Sequence, residues 1–305
     1  MSVSTLLISC SDRTGIVAAL SDFVATHGGN ILDADQHSEP PPPPEVGAAA
    51  RERSGVAYAA GSSSGSFFMR LAFDRSAFVL TPEETRQALG HLGKRFDLDW
   101  RLYEQAQRPR LALLCSKTPH CVYDLLMREA MGELAGEVAC VVSNHEALRG
   151  AAEHFGKPFF HVPVSPESKP QAEQTIRGVL ADHGADTVVL ARYMQVLSAE
   201  LCAEWAERAI NIHHSFLPAF VGARPYAQAK AKGVKIIGAT AHYVTADLDQ
   251  GPIIEQDVIR VTHRDAVEDL VRKGRDIERQ VLARAVQAHL EHRVLVHGNR
   301  TIVFQ

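Results

Sequence analysis

Between Asn211 and Ile254 the chain sets side chains fit for acyl chemistry at the ends of two apolar runs, in the stretch NIHHSFLPAFVGARPYAQAKAKGVKIIGATAHYVTADLDQGPII. Asn211, His213, His214 and Ser215 follow the run LCAEWAERAI, whose last residues turn apolar, and Pro218 and Gly222 come soon after. The pattern predicts a short buried strand emptying into a loop. The second run, Ile236 to Val244, carries His242 near its end and releases the chain into Thr245, Asp247 and Asp249 before Gly251 and Pro252. Strand ends of this kind are where α/β proteins gather chemistry. A carbonyl under nucleophilic attack passes through an oxyanion, which requires donors already aimed at it; Asn211 and a protonated His213 are the candidates. A proton carrier is needed as well, and Asp249 is the nearest carboxylate. Singly, an Asn, His or Asp beside Gly or Pro is more often a turn former or a cap. His213, His214, His242 and Asp249 can also be read as metal ligands, but no HExxH or comparable local spacing supports that reading, and no metal is expected.

The elements that must position these groups alternate along the chain. LALLCS is followed by a helix from His120 to Arg128, EVACVVSN by EALRGAAEHFG, PFFHVPV by KPQAEQTIRGVLADHG, and DTVVLARY by SAELCAEWAERA. Continuous apolar strands alternating with helices predict a doubly wound, mostly parallel α/β sheet covered on both faces. His145 and His161 end two of the apolar runs and are expected to be structural. A long amphipathic helix follows in DAVEDLVRKGRDIERQVLARAVQAHLEHR, then a hairpin around Gly298 and Asn299.

The first third has another character. Residues 3 to 9, a helix capped by Asp12 or Thr14, Asn30 to Asp35, SGSFFMRLAFD and a helix capped by Thr81 with Pro82 at its first position give β-α-β-β-α, the pattern of a ferredoxin-like α+β module. Residues 39–65, with five consecutive prolines and a Gly/Ser run, cannot bury enough surface to offset the entropy of ordering, and predict a disordered insertion. The domain boundaries on this reading are 1–103 for the module, 104–109 for a polar linker and 110–305 for the α/β domain.

Composition sets outer limits. The 305 residues are 46% hydrophobic and 22% charged, with a formal net charge of −4. There is no basic block, which argues against a nucleic-acid partner. The opening MSVSTLLISC is too short and lacks the basic flank of a signal peptide or a membrane span, so no membrane partner and a cytoplasmic location are expected. The five cysteines lie far apart with no CxxC pair, as suits reduced, buried thiols.

Two families are resembled. N-I-H-x-S-x-L-P followed by H-[FY]-V-T-x-x-L-D-x-G-P-I resembles the signature of the 10-formyltetrahydrofolate enzymes, and the resemblance extends from residue 108 to about 285. It implies a formyltransferase-like domain with Asn211, His213 and Asp249 as the catalytic set and His242 as a supporting residue. LARYMQVLS resembles that family's folate-lining strand and loop, implying substrate contacts from Met194, Gln195 and Leu197, with His242 and Val244 completing the pocket. DRTGIVAALSDFVATHGGNI resembles an ACT domain, which implies a homo-oligomer, dimer or tetramer; its residues either build and pair the module alone or also take an amino-acid effector, with methionine and glycine as trials. Members that transfer the formyl group to a phosphorylated amine hold its phosphate on a glycine-rich loop after the first strand. The matching loop here, CSKTPHCVYD, has no glycine, and Lys117, Thr118 and His120 would crowd a phosphate. The resemblance therefore implies a formyltetrahydrofolate deformylase, with water as acceptor, the folate as substrate, no cofactor, and a place in one-carbon balance and formate supply for purine biosynthesis. The alternatives are a folate-dependent transferase or a catalytically idle sensor. Arg224, in VGARPY, could orient the substrate's acidic tail or cap a loop.

Overall fold

The computed structural model describes residues 2–41, 65–104, 108–218 and 225–305. Most of the proline-rich insertion, Arg224 and part of the 104–109 linker lie outside the described residues. Contacts divide the chain into two units, Met1–Gln107 with His292–Gln305, and Arg108–Glu291.

The first unit runs β1 (Val3–Ser11), α1 (Ile16–Thr26), β2 (Asn30–Glu39), β3 (Ser66–Asp74), α2 (Pro82–Phe96) and β4 (Asp99–Glu104). Its sheet has the order β2-β3-β1-β4, with every pair antiparallel. This is the ferredoxin-like, ACT-type arrangement. The last strand, β4, is absent from the sequence reading, although its period-2 alternation turns Trp100 and Leu102 to the core. Helix α2 begins as its sequence dictates: Thr81 and Glu84 form a reciprocal capping box and Pro82 opens the first turn. Neither Asp12 nor Thr14 caps α1, which starts instead from Gly15 in a left-handed conformation, φ 95°.

The two faces of the sheet pack differently because side chains alternate along a strand. Leu6, Ile8, Phe67, Met69, Leu71 and Phe73 meet α1 and α2, whereas Leu7 and Phe68 point the other way and meet Leu295 and Phe304. Those partners come from the C-terminal hairpin, β12 (Val294–His297) and β13 (Arg300–Val303), which turns at Gly298. The sequence reading carries the α/β domain to residue 305. The contacts return His292–Gln305 to the first unit, where the hairpin covers an apolar face that the two helices leave open. His292 stacks on Tyr103 at 3.8 Å between ring centres, and its carbonyl accepts from Arg70 Nε at 3.2 Å.

The second unit runs β5 (Arg110–Cys115), α3 (His120–Ala130), β6 (Glu137–Ser143), α4 (Arg149–His154), β7 (Phe159–His161), α5 (Lys169–Asp182), β8 (Thr187–Leu190), α6 (Ala199–Glu204), β9 (Ala209–His213), α7 (Pro225–Lys232), β10 (Ile236–Tyr243), β11 (Ile253–Arg260) and α8 (Val267–Leu290). The sheet order is β11-β10-β9-β8-β5-β6-β7. Strands β5 to β9 pair in parallel, and β10 and β11 are antiparallel additions. The strand order reverses between β5 and β8, which opens a crevice above their C-terminal ends. No described helix is long and apolar enough to cross a membrane. All five cysteines are free, and burial pushes the Cys115 and Cys140 thiols up to about 11, which keeps them protonated and inert.

Candidate active site

Asn211 and His213 are two residues apart on β9, so both project from one face of the sheet. Strand β10 runs antiparallel beside it, in a register that sets His242 opposite Asn211 and Thr240 opposite His213. Directly opposed residues in such a pair share a face, which brings the second imidazole to the amide. The sequence shows the strand ends but not this antiparallel register, and the register decides which histidine meets which partner. Asp249 comes from the loop after β10. That loop closes tightly, Tyr243 N–H donating to the Pro252 carbonyl at 2.9 Å, and a side chain at Gly251 would collide with the Tyr243 carbonyl. Asp249 itself has a left-handed backbone, φ 57°, a conformation that Asp and Asn tolerate better than most residues.

The geometry is that of an acid–base constellation. His213 Nδ1 lies 3.2 Å from Asp249 Oδ2, and His242 Nε2 lies 3.7 Å from Asp249 Oδ1. The hydrogen bond from His213 holds the Asp249 carboxyl well below the usual carboxylate range, so it is ionised. His213 Nε2 is buried and has no hydrogen-bond partner among the described residues. His242 fixes the orientation of the amide. Its Nδ1 is 2.9 Å from the Tyr243 carbonyl, which can only accept, so Nδ1 carries the proton and Nε2 of the neutral ring offers a lone pair. The Asn211 atom 3.2 Å from that lone pair must then be the donor Nδ2, leaving its second N–H free.

Beneath these groups the 214–218 turn is anchored by Thr240, which is fully buried. Its hydroxyl donates to the Ser215 carbonyl at 2.9 Å and accepts from Leu217 N–H at 3.0 Å and Gln256 Nε2 at 2.9 Å. The loop after β8 is pinned at both ends. Met194 N–H donates to Ser116 Oγ at 3.0 Å, Ser116 Oγ donates to Asn144 Oδ1 at 2.7 Å, and Ser198 N–H donates to the buried Glu173 carboxylate at 2.8 Å.

Together these elements enclose a cavity of about 500 Å3, within the range of small-molecule sites. Each residue expected to contact substrate or act on it lines this cavity: Asn211, His213, Asp249, His242, Met194, Gln195, Leu197 and Val244. The polar set gathers around Asn211, and Met194, Val196 and Leu248 supply apolar surface that is more than half exposed. His145 and His161 do not line it; His161 Nδ1 instead sits 2.9 Å from Glu146 Oε1. Ser116, Asn144 and Glu173, which position the loop, lie far from it in sequence and carried no local signal. Arg192 was also missed; its left-handed backbone is invisible in the letters ARY.

His214 lines the cavity as well, its ring 5.2 Å from that of His213. Burial, then the charge of Arg192, pushes its pKa down to about 4, so it is neutral in the folded protein. An unfolded histidine takes a proton near pH 6.5. Above that pH neither state is protonated and the group is silent. As the pH falls from 6.5 to about 4 the unfolded chain gains a proton that the folded chain refuses, costing stability at up to ~1.4 kcal/mol per pH unit. Urea unfolding of His214→Gln should therefore show a shallower loss of stability between pH 6.5 and 4.5 than the parent protein. An identical pH slope would contradict this.

Residues 109–286 match the formyl transferase family model. The chain is 46% identical over 301 residues to a formyltetrahydrofolate deformylase from a Synechocystis strain, covering 99% of this chain and 98% of that protein. It is 42% identical to one from Bacillus subtilis, over 98% of this chain and 93% of that protein. Among solved structures, a formyltetrahydrofolate deformylase from Pseudomonas syringae superposes with a TM-score of 0.89 at 47% identity, covering 100% of this chain and 95% of that one. A glycinamide ribonucleotide transformylase from Symbiobacterium toebii is similar over 67% of this chain and 98% of its own, with a TM-score of 0.62 and 31% identity. The deformylase matches cover 98–100% of this chain, where the transformylase match covers two thirds of it, and the chain belongs to the formyltetrahydrofolate deformylase family.

Proposed function

We propose that this protein hydrolyses 10-formyltetrahydrofolate to tetrahydrofolate and formate. The observation that carries the reading is the ionised Asp249 bound to His213 Nδ1, which leaves Nε2 free beside the oriented Asn211 amide. Water adds to the formyl carbon as its proton passes to the His213–Asp249 pair. The resulting imidazolium Nε2–H and the free Asn211 N–H then hold the oxyanion. As the C–N10 bond breaks, N10 takes the proton from the pair and formic acid is left. The pterin lies against the 191–198 loop and the apolar wall of Met194, Leu197 and Val244, with Gln195 and His242 completing the contact. The residues serve this chemistry without a cofactor.

Formate release from purified protein and 10-formyltetrahydrofolate, with no amine present, tests the assignment; release that appears only after an amine is added would replace it with a transferase. The loop-pinning bonds give a second readout. Ser116→Ala removes the acceptor of Met194 N–H, a net loss of about 1 kcal/mol, and should raise KM for the folate about fivefold while kcat stays within twofold. An unchanged KM would separate that loop from the folate. The same reading makes the first unit a regulatory and self-associating module acting in the cytoplasm. Sedimentation and turnover measured with and without methionine or glycine test it.

A further inference from the structure

Arg192 stands two residues past the end of β8, at the mouth of the switch-point crevice, with a left-handed backbone of φ 65°. Glycine adopts that conformation freely, and arginine adopts it only under strain. The chain nevertheless keeps an arginine here, and the side chain is put to use. It is 14% exposed and lines the same cavity as Asn211, His213 and Asp249. It is held from behind, with Nη1 3.3 Å from Oε2 of Glu278 on α8.

Glu278, 1% exposed, is fixed in its turn: the Tyr226 hydroxyl donates to it at 2.6 Å and His120 Nε2 lies 2.9 Å away. Burial opposes its charge, yet the His120 hydrogen bond and the Arg192 guanidinium keep the carboxyl below its usual range. His120, Cys121 and Glu278 are spaced like metal ligands, but the carboxylate is already engaged by these donors and a cation abuts it, so the cluster favours the ion pair over a metal. Despite the clamp, the buried guanidinium is not fully satisfied: Nε makes no hydrogen bond among the described residues, and the Nη1 contact with Glu278 is an ion pair without hydrogen-bond geometry. The cavity wall thus carries a clamped cation whose hydrogen-bonding capacity is not fully used.

Hydrolysis needs such a group where transfer does not. Passing the formyl group to an amine leaves one oxygen on the carbon, while water leaves two, and the product ionises. Asn211 and His213 serve one oxygen only. We propose that Arg192 forms a carboxylate subsite that takes the second oxygen and binds formate, making it a specificity-determining residue for water as the acceptor. This rests on the hydrolase reading above. The oxygen delivered by water comes to face Arg192 as the C–N10 bond breaks. Formic acid then gives its remaining O–H proton to His213 Nε2, leaving one carboxylate oxygen on the Asn211 N–H and the re-protonated His213 and the other on the guanidinium, and the proton passes to solvent as formate leaves.

The test is binding of 13C-labelled formate to the purified protein, read by line broadening and by inhibition of turnover, in the parent and in Arg192→Gly. Glycine accepts the left-handed backbone, so this variant should fold. We expect the formate concentration giving half effect to rise at least tenfold, kcat to fall about 100-fold, and KM for the folate to stay within threefold. Arg192→Gln, which keeps the stem and removes the charge, should show the same loss of formate binding, and it decides the question should the glycine variant fail to fold. Equal formate binding by parent and variants overturns the subsite. A parent that releases no formate from the folate overturns the hydrolase reading instead, and the binding comparison still decides Arg192.

Discussion

Replacing Asp249 with asparagine is expected to slow formate release by about 10^3 to 10^4-fold while folate binding changes less than threefold. Asparagine is the same size and tolerates the left-handed backbone at this position as well as aspartate does, so neither the loop nor the cavity wall is disturbed. What changes is the partner of His213 Nδ1. The carboxylate only accepts, which holds the proton on Nδ1 and leaves Nε2 to exchange protons with the substrate. An amide can turn its NH2 toward the ring instead, which draws the proton to Nε2 and leaves no charge to stabilise the imidazolium. Asp249→Ala would be a poorer test, because it adds backbone strain to the loss of charge. Stopped-time formate assays together with titration of folate binding check the expectation; a near-normal rate in Asp249→Asn would remove this residue from the mechanism.

The second large effect is expected at Asn211. Asn211→Ala should lower kcat by about 10^2 to 10^3-fold, the loss of one preorganised oxyanion donor, or ~2.7–4 kcal/mol. KM should change little, because the donor is needed most once charge has developed on oxygen. Asn211→Asp should recover nothing, since it supplies no N–H at neutral pH and sets a second negative charge near Asp249. His242→Phe should cost less, about tenfold, by releasing an amide whose orientation depends on the lone pair of that ring. A kcat within threefold of the parent in Asn211→Ala, or an equal loss in kcat and affinity, would refute the oxyanion role.

Much of the architecture was legible because it is local. Thr81, Pro82 and Glu84 specify the start of α2 through hydrogen bonds three residues long. The run LALLC could only be a buried strand, and Gly298-Asn299 could only turn a hairpin. Strand β4 escaped notice because its six residues alternate weakly behind a long helical pattern. The C-terminal hairpin was given to its sequence neighbour, since no local pattern says which distant sheet face lacks a cover.

For the site, the one-letter order Asn-Ile-His already determines that Asn211 and His213 share a face, because alternate residues of any strand do. Order along the chain likewise determines that His242 and Asp249 follow at the end of a second strand. Only the folded chain decides that β10 runs antiparallel and so brings His242 to Asn211, that Asp249 takes a left-handed turn to reach His213, and that Glu278 on α8 holds Arg192 against the cavity. Periodicity names the face a side chain occupies, but its partner across that face depends on register and loop closure, which the packing of the whole sheet sets.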